Sequence, residues 1–153
     1  MLRENLNEAL KGAMKAQNKR AVSTLRLILA AIKDRDIAAR GQGNAEGISE
    51  DDILKVLQTM VRQRQESIKL YQQGGRQDLV DQETEETGII QTFLPEQMDT
   101  AAIDAAVGEA VAETGAGGLK EMGRVMAWLR ERYAGHMDFA AASKVAKQKL
   151  GGG

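Results

Sequence analysis

Apolar residues recur every three or four positions along most of this chain, which is the spacing of amphipathic helices. In one segment Leu25, Ile28, Leu29 and Ile32 occupy positions i, i+3, i+4 and i+7. No stretch of alternating apolar and polar residues predicts a strand. The predicted helices span about 2–16, 19–39, 50–73, 76–92, 100–114, 120–133 and 139–150.

Capping residues and glycines predict where these helices begin and end. Ser49, Asp99 and Asp138 each precede a predicted helix and can cap its free amide groups. The glycine-rich segments 41–47 and 115–118 end helices, because glycine weakens a helix and accepts left-handed conformations.

The single proline, Pro95, separates four predicted helices from three. We therefore predict an all-α protein with two parts: an N-terminal four-helix, bundle-like part over residues 1–94 and a C-terminal three-helix domain over residues 95–150. The terminal glycines, residues 151–153, have nothing to bury, and we expect a disordered tail there.

Composition excludes several kinds of site. The chain contains no cysteine, which rules out disulfides, thiolate metal sites and a cysteine nucleophile. The N-terminus is interrupted by charges and has no signal-peptide core, and the longest apolar run, Leu27–Ile32, is far shorter than the ~20 residues of a membrane span. These features predict a cytoplasmic protein without a membrane partner.

The formal net charge is −1, but the charges are unevenly distributed. Residues 1–40 and 115–153 carry an excess of Lys and Arg, whereas residues 41–114 carry an excess of Asp and Glu. Two basic ends around an acidic middle can steer a charged partner.

Candidate catalytic and metal-binding groups are few. His136, the only histidine, lies in a predicted turn, where a solvated loop residue is the favoured interpretation. The carboxylates Asp81, Glu83, Glu85 and Glu86 resemble a metal or acid–base cluster, but a solvated helix face explains them better. We therefore predict no catalytic residue, no metal site and no cofactor.

The segment Gly115-Ala116-Gly117-Gly118 resembles a phosphate loop, but it follows a helix and lacks the Gly-Lys-Ser/Thr ending of a P-loop. A helix stop is the favoured interpretation of this segment. A weaker alternative is that the loop leads to a helix N-terminus, near Lys120 and Arg124, that attracts phosphate oxygens.

Basic residues concentrate in the last third of the chain. Lys144 and Lys147 lie one helical turn apart and share a face, and such an array can neutralise backbone phosphates. Trp128 falls off the main apolar stripe of its helix, so it either stacks on a base or covers a contact between helices. The alternative for the basic residues themselves is that they keep a small domain soluble.

The second predicted helix carries its own series of cations, Arg20, Arg26, Lys33 and Arg40, at intervals of roughly two turns. This series is either a second basic ridge or the solvated charge of an ordinary helix surface.

Several strings along the chain, taken in order and with their spacing, resemble the GatB/YqeY family from about Met1 to Leu150. No single string is specific, whereas the series is. The strings are STLRLILAAIKDRD, DDILKVLQTMVRQRQESIKLY, GRQDLVDQE, TFLPEQM, GLKEMGRVMAWL and GHMD.

The resemblance implies an N-terminal helical bundle, a C-terminal three-helix domain, and kinship with the tail of the B subunit of the glutamine-dependent aspartyl/glutamyl-tRNA amidotransferase. That tail holds tRNA while other parts of the enzyme perform the chemistry. The family is accordingly associated with carbon–nitrogen ligase activity with glutamine as amide donor. The cradle domain and the amidase subunit of that enzyme have no counterpart in this chain.

The family stretch around Lys120–Met126 usually has Asp where this chain has Glu121 and Lys where it has Arg124, so both charges are kept. Trp128 and Phe139 stand where smaller or more polar residues are expected, so an RNA contact at those positions would differ here.

The leading hypothesis is a tRNA-binding accessory module without catalytic activity of its own. Its expected RNA-binding residues are Lys120, Gly123, Arg124, Lys144 and Lys147, with Gly123 allowing close approach of a phosphate or a helix. One alternative is a protein-interaction module that docks on an aminoacyl-tRNA synthetase or amidotransferase. Another is a subunit of a carbon–nitrogen ligase.

Overall fold

The computed structural model describes residues 1–151, of which 79% are helical and none forms a strand. The all-α prediction is therefore confirmed. The helices are α1 (Leu2–Lys15), α2 (Lys19–Gly41), α3 (Glu50–Gln73), α4 (Gln77–Gln91), α5 (Thr100–Thr114), α6 (Met122–Tyr133) and α7 (Phe139–Gly151), with a 3₁₀ turn at Leu119–Glu121 before α6.

The chain divides into two compact units, the first from Met1 to Pro95 and the second from Glu96 onward. The first unit contains α1–α4, and the second contains α5–α7 with the 3₁₀ turn. That each unit folds as an independent domain stays a prediction. Of the tail predicted to be disordered, Gly151 is the last residue of α7, and residues 152–153 lie outside the described part of the chain.

The core of the N-terminal unit takes one apolar face from each of its four helices. Leu6, Ile28, Leu57 and Ile90 are completely buried, one on each helix from α1 to α4. Ser49 caps α3 as predicted, because its hydroxyl accepts a hydrogen bond from the Asp52 amide at 3.2 Å.

A salt bridge ties α1 to α2 and to the loop after α2. The guanidinium of Arg3 donates to both carboxylate oxygens of Asp36, at 2.7 and 2.8 Å, and to the carbonyl of Ile48 at 3.1 Å. The Ile48 amide also donates to Asp36, at 2.8 Å. Arg3 first and the Ile48 amide second lower the pKa of Asp36 to about 2, because both stabilise the carboxylate. Gly47 lies against this pair with a φ of 92°.

The C-terminal unit has a separate apolar core. Val107, Val125, Leu129 and Ala142 are completely buried and bring α5, α6 and α7 together. The predicted caps Asp99 and Asp138 are confirmed, since their carboxylates accept hydrogen bonds from Ala102 at 2.8 Å and Ala140 at 2.9 Å. Among the described helices, none is long and apolar enough to span a bilayer.

Candidate functional site

The exposed side of α7 carries two of the predicted RNA-binding residues. Ala142, Ala146 and Leu150 face the core, which leaves Lys144 and Lys147 on an exposed flank of the helix. Because these two lysines are three residues apart, they are neighbours on the helix surface. Within residues 1–151, the side chain of neither lysine forms a hydrogen bond or ion pair. We call Lys144 and Lys147 the α7 row.

The turn before α6, which contains Lys120, packs against the C-terminal end of α7. Gly151 follows Lys147 by four residues, so it continues the row by one helical turn. The Leu119 side chain lies 3.6–3.8 Å from the point where a Cβ at Gly151 would stand. Lys120 follows Leu119 directly, is exposed, and has no hydrogen-bond or ion-pair partner among the described residues. Three exposed cations without an internal partner therefore lie on α7 and on the turn that packs against its C-terminal end.

Arg124, another predicted contact, is engaged inside the unit. Its guanidinium donates to the carbonyl of Thr114 at 2.6 Å, at the C-terminal end of α5, and lies 3.8 Å from the carboxylate of Glu121. Carbonyls at the end of a helix attract a cation. Its side chain is still 63% exposed, and the guanidinium has five N–H donors. Arg124 thus helps to hold α5 against α6, and its contact with RNA stays a prediction.

Gly123 has no neighbour that explains its lack of a side chain. A Cβ built at this position meets no atom within 4 Å in the described part of the chain. A glycine inside a helix costs about 1 kcal/mol relative to alanine. Because no helix of the unit packs closely against Gly123, the open surface there is available to an outside group.

The glycine-rich segment 115–118 ends α5, as its favoured interpretation predicts. Gly115 adopts a φ of 68° directly after the last residue of the helix. The amide of Gly117 donates to the carboxylate of Glu121 at 3.0 Å, so the chain's own carboxylate takes a hydrogen bond that a phosphate would use. The weaker alternative of a phosphate site at this loop therefore loses one of its donors.

The remaining cations of the C-terminal unit have partners within it. Lys149 lies on the opposite flank of α7 from the row and pairs with Asp104 of α5 at 3.4 Å. The guanidinium of Arg132 stacks on the ring of Trp128 at 3.9 Å. This face of Trp128 is therefore covered, and the ring packs against the unit's core, which favours its interpretation as a contact between helices.

The cation series on α2 differs from the prediction at its first member. Arg20 is partly buried, and its guanidinium lies 3.9 Å from Glu85 of α4, so it does not belong to an exposed ridge. Arg26, Lys33 and Arg40 are exposed, and Lys19 continues their spacing of seven residues.

The solvated-face interpretation of α4 is wrong for two of its carboxylates. Glu86 has a side chain only 8% exposed, 3.3 Å from the guanidinium of Arg64 on α3, and Glu83 lies 3.8 Å from the same group. Burial first and the neighbouring Glu86 second raise the pKa of Glu83. The sequence signal that was available is the helical spacing of Leu79, Glu83, Glu86 and Ile90, which places both glutamates on the inner face of α4.

His136 is exposed in the turn before α7, as predicted, and its Nδ1 lies 3.0 Å from the carbonyl of Glu96. Over residues 1–151 no group of three or more His, Cys, Asp or Glu side chains is arranged to hold a metal ion.

Comparison of the sequence with known proteins shows which family the chain resembles. A sequence model of the family described as "Yqey-like protein" matches residues 3–150 of the chain. A protein of Clavispora lusitaniae called "Altered inheritance of mitochondria protein 41, mitochondrial" is 38% identical over 93 residues, which cover 61% of this chain and 51% of that protein. The protein of the same name from Lachancea thermotolerans is 33% identical over 111 residues, or 71% of this chain and 57% of that protein. The chain thus matches little more than half the length of either relative.

Proposed function

The chain belongs to the family of Yqey-like proteins, and from this premise we propose that it binds tRNA as an accessory module. The observation that carries the proposal is that three exposed cations, Lys120, Lys144 and Lys147, have no internal partner and lie on α7 and on the turn that contacts it. Unpaired ammonium groups are the chemistry that neutralises phosphates and releases their counterions. The relation to the amidotransferase tail and the predicted location in the cytoplasm are parts of this proposal.

The arrangement favours binding to the RNA backbone over reading of bases. Lysine presents a point charge with three donors, which suits phosphate oxygens from many directions. Trp128, the side chain best suited to stack on a base, has one face covered by Arg132. We therefore expect recognition led by RNA shape and charge, with an affinity that falls as salt rises.

Filter binding of a tRNA transcript across a salt series, between about 50 and 200 mM, tests the proposal. Lys147→Gln removes one unpaired cation of the α7 row, and Lys149→Gln is the matched control, because that lysine lies on the same helix and is already paired with Asp104. We expect Lys147→Gln to lower the slope of log K against log salt by about 0.7–0.9, and the control to lower it much less. Salt-indifferent binding by the wild type, or equal effects of the two variants, would refute the proposal.

Gly123 supplies a second test, in which stability and binding should move in opposite directions. Gly123→Ala should raise the free energy of unfolding by up to about 1 kcal/mol, because alanine is the better helix former and the added methyl meets no neighbour. If a phosphate approaches the backbone there, the same variant should weaken tRNA binding. A more stable variant with unchanged tRNA affinity would remove Gly123 from the interface.

The two alternatives stay hypotheses from the sequence. The protein-docking alternative uses the apolar and acidic faces of α3 and α4, but Glu83 and Glu86 face Arg64 inside the unit and are not offered to a partner. A pull-down after nuclease treatment distinguishes it, since enrichment of a synthetase or amidotransferase would then persist. Glutamine turnover by a complex that contains the chain would support the ligase-subunit alternative.

A further inference from the structure

We propose that the outer face of α2, in the N-terminal unit, is a second contact for an RNA phosphate backbone. This inference rests on the proposed function, because it assumes that the chain's polyanionic partner is RNA. The contact consists of Lys19, Arg26, Lys33 and Arg40, which we call the α2 row. The helix fixes their relation to one another, whatever the position of the C-terminal unit.

The spacing of the α2 row aligns its cations along one side of the helix. Successive members are seven residues apart, so each is turned by only about 20° from the previous one and lies about 10 Å further along. The row therefore spans about 30 Å from Lys19 to Arg40. A single phosphate or a nucleotide reaches one or two of these cations, whereas a polymeric phosphate backbone reaches all four.

Three of the four cations of the α2 row, Lys19, Arg26 and Lys33, have no partner within the described residues. Lys19, Arg26, Lys33 and Arg40 are exposed, and their side chains form no hydrogen bond or ion pair with another residue of 1–151. Arg20, one position from the row, pairs with Glu85. Helix α2 thus sends Arg20 inward to a carboxylate and leaves Lys19, Arg26 and Lys33 without an internal partner. Arg40 is near enough to Asp36 to help lower the pKa of that carboxyl.

The residues between these cations leave room for a polymer. Ser23, Ala30 and Ile37 occupy the positions that alternate with the row on the same exposed face. Ser23 and Ala30 are small, so they place no bulky side chain between Lys19, Arg26 and Lys33. A phosphate backbone can approach the helix closely along this part of the row.

An open cleft lies at the start of the row. Gln17, Lys19, Ser23 and Arg26 line an open cavity of about 450 Å³ together with Val22. Gln17 has a φ of 57°, in the left-handed region that glycine prefers, two residues after the last residue of α1. The Asn18 amide donates to the carbonyl of Ala13 at 3.0 Å, so this left-handed residue ends α1 and turns the chain toward α2. A glutamine amide there can donate to a phosphate oxygen that lies between Lys19 and Arg26.

An anionic membrane is the competing polyanion, and the composition of the face argues against it. Membrane-surface helices present a broad apolar face with Trp, Phe or Leu beside their cations. The outer face of α2 has two exposed large apolar residues, Leu27 and Ile37, and no aromatic residue. Leu27 and Ile37 are ten residues apart, so they do not form a continuous apolar surface.

Two triple variants of the full chain test the inference. Lys19→Gln/Arg26→Gln/Lys33→Gln removes three members of the α2 row. Lys11→Gln/Lys55→Gln/Arg76→Gln is the matched control: it also replaces two lysines and one arginine, all exposed and in the N-terminal unit. These three are already paired, with Glu8 at 3.5 Å, Asp52 at 3.8 Å and Asp78 at 3.1 Å.

Each variant is titrated with a tRNA transcript across the same salt series and with vesicles that contain phosphatidylserine, and its helicity is checked by circular dichroism. We expect the α2-row variant to lower the salt slope by about 2 and the tRNA affinity at low salt by at least about tenfold, with the control close to wild type. Equal behaviour of the two triple variants would overturn the inference. Selective loss of vesicle binding with tRNA binding intact would also overturn it, in favour of a lipid surface.

These outcomes are separable from failure of the proposed function. If the wild-type chain does not bind tRNA, the proposed function and the inference both fail. If the wild type binds and Lys147→Gln weakens binding while the α2-row variant matches its control, only the inference fails. If the α2-row variant weakens binding while Lys147→Gln does not, the contact lies on α2 and the proposed site on α7 is wrong.

Discussion

Two glycines in the loop after α2 allow a single steric contact to be measured. Gly43 and Gly47 have nearly the same left-handed backbone, with φ of 96° and 92°. A Cβ at Gly43 would meet no atom within 4 Å, whereas one at Gly47 would stand 2.8 Å from a carboxylate oxygen of Asp36 and 2.9 Å from a guanidinium nitrogen of Arg3. Alanine at either position carries the same backbone strain, and only at Gly47 does it also displace the ion pair.

The expected losses of stability follow from these distances. The left-handed backbone costs an L-residue about 1–2 kcal/mol, and this applies to both Gly43→Ala and Gly47→Ala. At Gly47 the added methyl must also displace the Arg3–Asp36 pair, whose side chains are 38% and 19% exposed. A hydrogen-bonded charge pair of that exposure contributes about 1–2 kcal/mol after allowance for solvent screening. Gly47→Ala should therefore lower the free energy of unfolding by about 1–2 kcal/mol more than Gly43→Ala.

Urea unfolding at pH 7, followed by the far-ultraviolet circular dichroism of the helices, measures both losses. Asp36→Ala provides the background that isolates the contact. Without the carboxylate, the flexible Arg3 side chain is no longer held against Gly47 by Asp36, so most of the extra cost of Gly47→Ala over Gly43→Ala should disappear. Equal losses for the two glycine variants in the wild-type background would refute the reasoning. So would a Gly47→Ala cost that is unchanged by Asp36→Ala.

Three further predictions use the same measurement. The stability that Asp36 contributes relative to Asp36→Asn should be constant above about pH 4 and should disappear as pH falls to about 2, because the pKa of this carboxyl is lowered in the folded state; a constant difference down to pH 2 would contradict this. At pH 7, Glu86→Gln should destabilise the chain by about 1–3 kcal/mol by breaking its pair with Arg64. Glu83→Gln should instead stabilise the chain, because the raised pKa of Glu83 means that its charged form is disfavoured in the folded state. This gain in stability should fade as pH falls toward 4. If both Glu83→Gln and Glu86→Gln lowered the free energy of unfolding at pH 7, the different roles given to the two glutamates would be wrong. Gln17→Gly should raise the free energy of unfolding by about 0.5–1 kcal/mol by relieving the positive φ, and no gain would mean that the conformation is unstrained.

The helices could be predicted because their signals are local. Ser49, Asp99 and Asp138 act within three residues of their own positions, and each caps the helix that the sequence assigned to it. The predicted start of the sixth helix at about Lys120 was less accurate, since Leu119–Glu121 form a 3₁₀ turn before α6. A boundary of this kind depends on how the turn packs, which the helical spacing does not encode.

The interactions between helices were harder to predict from one sequence. Arg64 and Glu86 are 22 residues apart on different helices, and only the packing of α3 along α4 brings them together. For the same reason Arg20 was misplaced on an exposed ridge, since its partner Glu85 is on α4. The α7 row, by contrast, follows from a spacing of three residues within one helix, and its exposure agrees with the prediction.

The distribution of charge within the C-terminal unit decides which of its cations remain available to a polyanion. Helix α5 carries carboxylates, including Asp104 and Glu113, but no cation. The cation of α7 that faces α5, Lys149, is neutralised by Asp104. Lys144 and Lys147, on the other flank, have no such carboxylate. The electrostatic field of their ammonium groups therefore reaches into solvent, where salt screens it. Asp104→Asn should therefore free Lys149 from its partner on α5 and strengthen tRNA binding at low salt. Glu8→Gln removes the same charge beside Lys11 in the other unit, and it should change tRNA binding less. Equal gains from the two variants would mean that net charge alone, and not the placement of the cations, governs the affinity.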